Sequence, residues 1–268
     1  MFQANYHTHT KRCGHATGED EDYVLEALGR GYRYLGFSDH AMLPDFSEPY
    51  VRGDYSLFQG YVDSIRSLEK KYADRLTIYC GFEAESFPDY FPYYKELLAN
   101  GILDYLILGN HCAINRKKEI VTRFINITNP GQLYLYKDLA LQALATGMFS
   151  VFVHPDYFMA GIDNFDSDCK KVSREMIEAC IAYDVPLEVN VAGIRNGKRH
   201  IGQVDRWMYP TDDFFSLVSK YKAKCVYGMD AHAPAQLAND AADFAAVQFA
   251  KEHHLVMVDV LDKIRHHS

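Results

Sequence analysis

The sequence predicts an α/β fold in which strands and helices alternate and close into a TIM-barrel-like (β/α)7 barrel of seven strands. Short apolar runs of strand length alternate with longer amphipathic segments along the chain, a pattern typical of parallel β/α units. About seven such units are spread evenly, without a linker, a repeat or a low-complexity segment. One barrel can hold 268 residues, so we expect a single domain over residues 1–268.

Each predicted strand is a short apolar run that ends at a turn signal or at the start of a helical pattern. The seven runs cover residues 2–7, 33–38, 76–83, 103–110, 149–154, 185–190 and 223–229. In the helical segments apolar residues recur three or four positions apart, as Leu57, Tyr61, Ile65 and Leu68 do. The predicted helices cover residues 21–31, 57–72, 131–147, 173–184, 211–221 and 234–253.

The charge and the cysteine pattern narrow the class of protein. The net charge of −8 at pH 7 disfavours a surface that binds nucleic acid, and no apolar run approaches the ~18 residues of a membrane span. The six cysteines are scattered without a CxxC pair, which indicates reduced thiols. No secretory signal pattern stands at the N-terminus. We therefore expect a cytoplasmic protein with a small-molecule substrate and no nucleic-acid or membrane partner; a homodimer remains open.

Side chains that bind metal ions stand at the carboxyl ends of the predicted strands. The stretch NYHTHTKRCGH (residues 5–15) places His7 and His9 at the end of the first strand and His15 in the following loop. The later motifs GFSDH, CGFEAE, LGNH, FVHPD, LEVN and YGMDAH contribute His40, Glu83, His111, His154, Asn190, Asp230 and His232. The carboxyl ends of barrel strands meet on one face, so these distant residues can share one pocket.

The spacing of these residues indicates metal coordination. Residues two apart in a strand point to the same side, so each of the motifs HTH and DAH directs two ligands to one point. Imidazole and carboxylate together suit zinc, manganese or iron. Without Asn190 there are nine candidate ligands, which exceed the roughly four to six of one ion, so we expect two or three ions. The other histidines show no such pattern, and we expect most of them to be solvated: His200, His253, His254, His266 and His267.

The motifs HTH, GH, SDH, GFEAE, GNH, FVHPD, EVN and GMDAH occur in this order between residues 5 and 232. In type and order they resemble the motifs of the PHP (polymerase and histidinol phosphatase) family. The resemblance implies a distorted barrel of seven strands and helices with a cluster of metal ions. Within the family, the length and the segment LEVNVAGIR look most like the members that hydrolyse L-histidinol phosphate to L-histidinol and phosphate in histidine synthesis.

The resemblance also implies how the ligands divide among three ions. The first ion would be bound by His7, His9, Glu83 and Asp230, the second by Glu83, His111 and His154, and the third by His15, His40 and His232. Glu85 lies on the same strand face as Glu83 by the two-residue period, and the G-x-E pattern favours Glu83. Glu83, Asp230 and His232 would form the catalytic centre, where metal lowers the pKa of bound water and provides a hydroxide nucleophile.

Arginine is the side chain best suited to hold a phosphate ester. The candidates, in order of preference, are Arg195, Arg116 and Arg199, which follow the sixth and fourth predicted strands. Asn190 could contact the substrate or cap the next segment. Glu188 and Asp156 are candidates for binding an ammonium group of the substrate.

Three other functions remain compatible with these residues. A PHP-type barrel could act on another small phosphate ester or a nucleotide, since charge and spacing specify only a phosphate monoester. An amidohydrolase-type barrel also uses an HxH pair and a late aspartate, but typically relies on a carbamylated lysine, and the fourth strand here ends in His111. A non-catalytic metal-binding protein is disfavoured because all nine ligand positions hold competent residues.

Overall fold

The computed structural model describes residues 2–238, 240–261 and 264 of the chain. In chain order the strands are β1 (Ala4–Asn5), β2 (Tyr34–His40), β3 (Thr77–Ala84), β4 (Tyr105–Leu108), β5 (Cys112–Ile114), β6 (Ile120–Arg123), β7 (Val151–Phe152), β8 (Leu187–Asn190), β9 (Arg199–Ile201), β10 (Val204–Arg206), β11 (Lys224–Gly228) and β12 (Val256–Met257). The α-helices are α1 (Asp20–Arg30), α2 (Phe58–Lys71), α3 (Phe91–Ala99), α4 (Pro130–Ala145), α5 (Ser167–Ala182), α6 (Val191–Arg195), α7 (Asp212–Tyr221) and α8 (Asp240–Glu252). Short 3₁₀ helices lie at Lys11–Cys13, Tyr55–Leu57, Pro88–Tyr90, Phe124–Asn126, Tyr157–Gly161 and Pro234–Ala238.

Eight of these strands form one sheet whose order is β1-β2-β3-β4-β7-β8-β11-β12. All pairings along this sheet are parallel. The strands of the sheet follow one another in the same order as in the chain, and helices connect most of the consecutive strands. Two antiparallel hairpins, β5–β6 and β9–β10, branch off after β4 and β8. The predicted α/β fold with parallel strands is therefore confirmed.

The sheet curls until its first strand meets the segment that follows β11. Thr8 and Ala231 form a parallel bridge, in which the His9 amide donates to the Ala231 carbonyl at 2.9 Å and the Ala231 amide donates to the His7 carbonyl at 3.3 Å. This bridge joins the two ends of the curl on the carboxyl side of the strands. The architecture is accordingly TIM-barrel-like.

The predicted count of seven strands is not confirmed, because the sheet has an eighth. All seven predicted runs contain strands of the sheet, and β12 pairs with the start of β11 through Val256 and Met257. Two residues are too few to show an alternating pattern, so the sequence carries no signal for this strand. Helices α3 and α6 and the two hairpins were also not predicted.

Local capping explains where several helices begin and end. Glu19 and Asp22 form a capping box at the start of α1, and Gly31 ends that helix in the left-handed conformation. Asn129 and Asp166 cap α4 and α5 through their side chains. Among the described residues, no helix combines the length and the apolar character that a membrane span requires.

Aromatic side chains fill the inside of the curled sheet. Tyr105 lies there with Tyr6 and Tyr79, and its hydroxyl donates to the Tyr6 carbonyl at 2.8 Å. Two glycines of neighbouring strands make room for its ring: a Cβ on Gly36 would overlap the Tyr105 hydroxyl, and one on Gly81 would lie 2.5 Å from Cε1. A larger apolar core packs the helices against the outer face of the sheet.

Gly81→Ala is expected to lower the free energy of unfolding by about 1–3 kcal/mol, because the added methyl group overpacks the barrel interior against Tyr105. Gly60→Ala in α2 is the matched control, since a Cβ there meets nothing within 4 Å. The control should be stabilised by about 0.5–1 kcal/mol. Urea unfolding followed by circular dichroism measures both changes. Equal midpoints for the Gly81 variant and the parent would contradict this packing.

Candidate metal centre

The carboxyl ends of the strands carry the candidate ligands into one buried space. His40 is the last residue of β2 and stands beside Glu83 of β3 in the parallel register. His7 and His9 follow β1, and the bridge to Ala231 holds them beside the residues that follow β11. His7 and His9 are 1% exposed and Glu83 is 2% exposed. The site is therefore shielded from bulk water.

The first group of ligands consists of His7, His9, Glu83 and Asp230. The Nε2 atoms of the two histidines are 3.1 Å apart. Asp230 Oδ1 lies 3.6 Å from His7 Nε2 and 3.3 Å from His9 Nε2. Glu83 approaches the same nitrogens with Oε1 at 3.6 Å and Oε2 at 3.4 Å. Two imidazoles and two carboxylates thus converge on one point.

The second group shares Glu83 with the first and adds His111 and His154. Glu83 Oε1 is 2.9 Å from His154 Nε2 and 3.3 Å from His111 Nε2. The two Nε2 atoms are 3.2 Å apart. Glu83 therefore lies between the two groups, with an oxygen available to each.

The third group is more open. The ring of His232 stacks on His9 at a centroid distance of 4.1 Å and lies 4.5 Å from His15, and the ring of His40 lies 5.6 Å from His15. His232 Nε2 is buried and has no hydrogen-bond partner in the described part of the chain. The thiol of Cys13, which the sequence analysis did not include, lies within 4.8 Å of the ligand atoms of His15 and His232.

Two buried carboxylates behind the histidines orient the rings. Glu188 Oε1 lies 2.8 Å from His7 Nδ1, and Glu188 Oε2 accepts from the His154 amide at 2.9 Å. Glu85 Oε1 lies 2.8 Å from His111 Nδ1, and Glu85 Oε2 accepts from the His111 amide at 2.7 Å. A proton held on Nδ1 leaves the Nε2 lone pair free to bind a metal ion.

Glu83 and Glu85 have different positions in the structure, although the sequence distinguished them only by the G-x-E pattern. Strand β3 ends at Ala84, so Glu85 no longer follows the two-residue period and lies behind His111. Glu188, a candidate for an ammonium group, is 1% exposed and faces His7 from behind. In the sequence Glu85 lies two residues after Glu83, and Glu188 lies two residues before Asn190. This two-residue spacing is the sequence signal for both supporting carboxylates.

Without metal ions, opposing effects of burial and neighbouring charge set the protonation of the cluster. Burial opposes protonation of His9 and His111, but nearby carboxylates outweigh it and raise the pKa of each to about 9. Burial lowers the pKa of His232 to about 3, and the charge of His9 acts in the same direction. Burial disfavours ionised Glu83, yet the surrounding histidines hold its pKa well below the usual value.

This donor set fits divalent metal ions. The Nε2 atoms of His7 and His9, and those of His111 and His154, face each other at 3.1 and 3.2 Å, where a single hydrogen at most can lie between each pair. A cation bound in each group would accept the lone pairs of both nitrogens of that pair. Imidazole and carboxylate donors suit zinc, manganese or iron, and the grouping accommodates two or three ions.

Asn190 and Arg195 frame the first group. Asn190 Oδ1 accepts from the Gly193 amide and caps α6, while its Nδ2 donates to Asp230 Oδ2 at 3.2 Å. Arg195 donates through Nη1 to the Met229 carbonyl and through Nη2 to the Asp230 carbonyl, both at 3.1 Å. Both side chains therefore hold the segment that carries Asp230.

The remaining predicted residues lie outside the ligand groups. Arg116 and Arg199 are exposed in or beside the hairpins β5–β6 and β9–β10. Asp156 is buried and accepts from the amide and the hydroxyl of Thr211. Three histidines lie elsewhere in the structure: His200 is exposed beside Asp205, His253 lies on Phe249, and His254 follows α8. His266 and His267 lie outside the described residues.

The fold and the site together define a barrel protein with a multinuclear metal centre. The chain belongs to the PHP domain family, whose model matches residues 5–192. This match covers the strands and loops that carry His7 to Asn190 and confirms the resemblance in the motifs.

Known relatives extend the similarity over most of the chain. A protein of Deinococcus radiodurans named "Probable histidinol-phosphatase" is 25% identical over 234 residues, 86% of either chain. A protein of Schizosaccharomyces pombe with the same name is 24% identical and covers 86% of this chain and 81% of its own. The crystal structure of histidinol phosphate phosphatase from Lactococcus lactis, complexed with zinc, L-histidinol and phosphate, aligns with a TM-score of 0.72. That alignment covers 98% of this chain and 99% of the other at 16% identity, so it shows a shared fold.

Gly228→Ala is expected to weaken metal binding about 10–100-fold. A Cβ on Gly228 would overlap Glu188 Oε1 and displace the carboxylate that orients His7. Competition with a chromogenic chelator measures the affinity. Gly29→Ala in α1 is the control, because a Cβ there meets nothing within 4 Å. Equal metal affinities for the two variants would contradict the orienting role of Glu188.

The stability of the metal-free protein is expected to fall between about pH 6.5 and 9. The raised pKa values of His9 and His111, both about 9, mean that the folded chain holds protons that the unfolded chain releases above pH 6.5. The stabilisation is complete below that pH and is lost as the pH rises towards 9. Thermal unfolding of chelator-treated protein tests this. A melting temperature that rises across this interval would refute the assignment.

Proposed function

We propose that this chain is a metal-dependent phosphomonoesterase that hydrolyses L-histidinol phosphate to L-histidinol and phosphate, a step of histidine biosynthesis. The observation that carries the proposal is the set of three adjoining ligand groups at the carboxyl end of a PHP-family barrel. The relatives named as histidinol-phosphatases over 86% of this chain support this substrate. The fold shared with the L. lactis enzyme adds support, because its complex contains zinc and both reaction products.

Glu83, Asp230 and His232 would form the catalytic centre together with the other ligands. Divalent ions bound there supply Lewis acidity, which lowers the pKa of water and attracts a phosphate dianion. The chain's own contribution is to hold the Nε2 atoms of the histidines towards the centre and to keep the site dry. Glu85 and Glu188 do this by accepting the Nδ1 protons of His111 and His7.

The phosphate contacts belong to the proposal as well. Arg195 donates to the carbonyls of Met229 and Asp230. We assign it the role of holding Asp230 in place, while its Nε, which forms no hydrogen bond to the described residues, would contact a phosphate oxygen. Arg116 and Arg199 are exposed and could approach a bound ester only through their loops. Both polar atoms of Asn190 form hydrogen bonds, Oδ1 with the start of α6 and Nδ2 with carboxylates. This favours a capping role over contact with the substrate.

We further infer that residues 1–268 form one domain, since one large core cluster extends from Phe2 to Phe249. All six cysteines lie among the described residues, are buried and form no disulfide there, which supports a reducing compartment such as the cytoplasm. A homodimer remains a prediction, and sedimentation of the purified protein decides it.

Phosphate release from L-histidinol phosphate, measured beside a panel of sugar and nucleotide monophosphates, tests the proposed activity. We expect L-histidinol phosphate to have the highest kcat/KM by orders of magnitude, and a chelator to abolish the reaction. Chelator-sensitive release that favours another ester would keep the metal centre and reject the substrate. No hydrolysis with added zinc, manganese or iron would leave the non-catalytic metal-binding alternative.

His9→Ala is expected to abolish turnover while the fold survives, because His9 contacts both carboxylates of the first group. His200→Ala is the control, since His200 is exposed and pairs only with Asp205 among the described residues. Circular dichroism and phosphate release separate folding from activity. Near-normal turnover of the His9 variant in metal-depleted buffer would contradict the proposed centre.

A further inference from the structure

We propose that Arg52 is a positioning residue that fixes His111 in the second ligand group by holding Glu85. The inference rests on the proposed metal centre. Arg52 lies in the loop after β2, and its side chain is 1% exposed. The residue does not belong to any of the three ligand groups, and none of the sequence motifs includes it.

The guanidinium of Arg52 uses all three of its nitrogens. Nε and Nη2 donate to Glu48 Oε2 at 3.1 and 3.0 Å, and Nη2 also donates to Glu85 Oε1 at 3.2 Å. Nη1 donates to the carbonyl of Ala41 at 3.2 Å, next to the ligand His40. One buried cation thus joins the end of β2 to the end of β3.

Glu85 connects Arg52 to the candidate metal ligand His111. Its Oε1 accepts from Arg52 and lies 2.8 Å from His111 Nδ1, and its Oε2 accepts from the His111 amide at 2.7 Å. The carboxylate therefore holds both the ring and the backbone of His111. With Nδ1 occupied, Nε2 faces His154 Nε2 and Glu83 Oε1, which is the orientation that metal binding requires.

The charges around Arg52 show why Glu85 depends on it. Glu48 is 7% exposed and Glu85 is 1% exposed, and both carboxylates bind the same guanidinium. Among the described residues, Arg123 also pairs with Glu48, through Oε1 at 2.7 Å, and is about half exposed. When His111 binds a metal ion it is neutral, and without Arg52 the carboxylate of Glu85 is then an uncompensated buried charge that rearranges. Glu85 then leaves His111 without an oriented acceptor.

If Arg52 had a purely structural role, its removal would change stability but not metal binding. Arg66 offers the comparison, because it is also a largely buried arginine in a carboxylate pair, with Asp104 at 2.8 Å. Asp104 accepts from the Cys80 amide and immediately precedes β4, towards the amino ends of the strands, whereas the candidate metal ligands stand at the carboxyl ends. Losing Arg66 should therefore affect stability alone, whereas losing Arg52 should also affect one metal position.

The experiment compares Arg52→Met with Arg66→Met in the full chain. Metal content after dialysis and chelator competition with zinc give the affinity of each position, and thermal unfolding of the metal-free protein gives stability. We expect both variants to lose stability, and Arg52→Met alone to bind one zinc ion about 10–100-fold more weakly. Excess zinc should restore kcat of the Arg52 variant with little change in KM. Zinc binding identical to that of Arg66→Met would overturn the inference.

Glu85→Gln keeps the size of the side chain and serves if Arg52→Met fails to fold. It should lose affinity at the same single position, and unchanged zinc binding would overturn the inference. Phosphate release from L-histidinol phosphate by the parent chain is measured in the same preparations. A parent that binds zinc without hydrolysing this ester rejects the proposed substrate only, while a change confined to Arg52→Met still supports the positioning role.

Discussion

The crowding of imidazole nitrogens around two buried carboxylates is the constraint on which the rest of the structure depends. Nitrogen atoms of His7 and His9, and of His111 and His154, lie about as close together as hydrogen-bonded atoms, and all but His111 of these residues are buried. Buried polar groups without partners are costly, so this arrangement needs cations. The strand ends, Gly228 beside Glu188 and the bridge at Thr8 all serve to hold it.

Much of this arrangement follows from simple periodicity. The two-residue period of a strand predicts that His7 and His9, and Asp230 and His232, act in pairs, and the parallel sheet brings their strands together. The division of the ligands into groups came from the family resemblance. In the third group the rings of His40 and His232 lie nearer to His9, at 4.5 and 4.1 Å, than to His15, at 5.6 and 4.5 Å. Glu83 was preferred over Glu85 on a motif, and the reason for the difference is the end of β3 at Ala84, which no short pattern reveals.

Other features depend on how loops fold back, which sequence patterns do not encode. Arg195 has the character of a phosphate-binding arginine in sequence, yet the short helix α6 directs its donors to the carbonyls beside Asp230. Arg52 and Glu48 are four residues apart in an irregular loop, and their link to Glu85 arises only in the folded chain. The two-residue strand β12 is too short to have any pattern. From the centre outward, the ligand His111 is followed by the carboxylate of Glu85 and then by the guanidinium of Arg52. This order is visible only in three dimensions.

The bridge between Thr8 and Ala231 also bears on how a newly made chain acquires its metal. His7 and His9 are synthesised more than 200 residues before Asp230. Until the curl closes, the early histidines lack one of their two carboxylates and are a poor chelator for any divalent ion. Complete coordination therefore has to wait until Asp230 has been synthesised and the bridge has formed. A nascent chain that has not reached Asp230 competes little for the metal pool of the cell, so metal loading follows the closure of the curl.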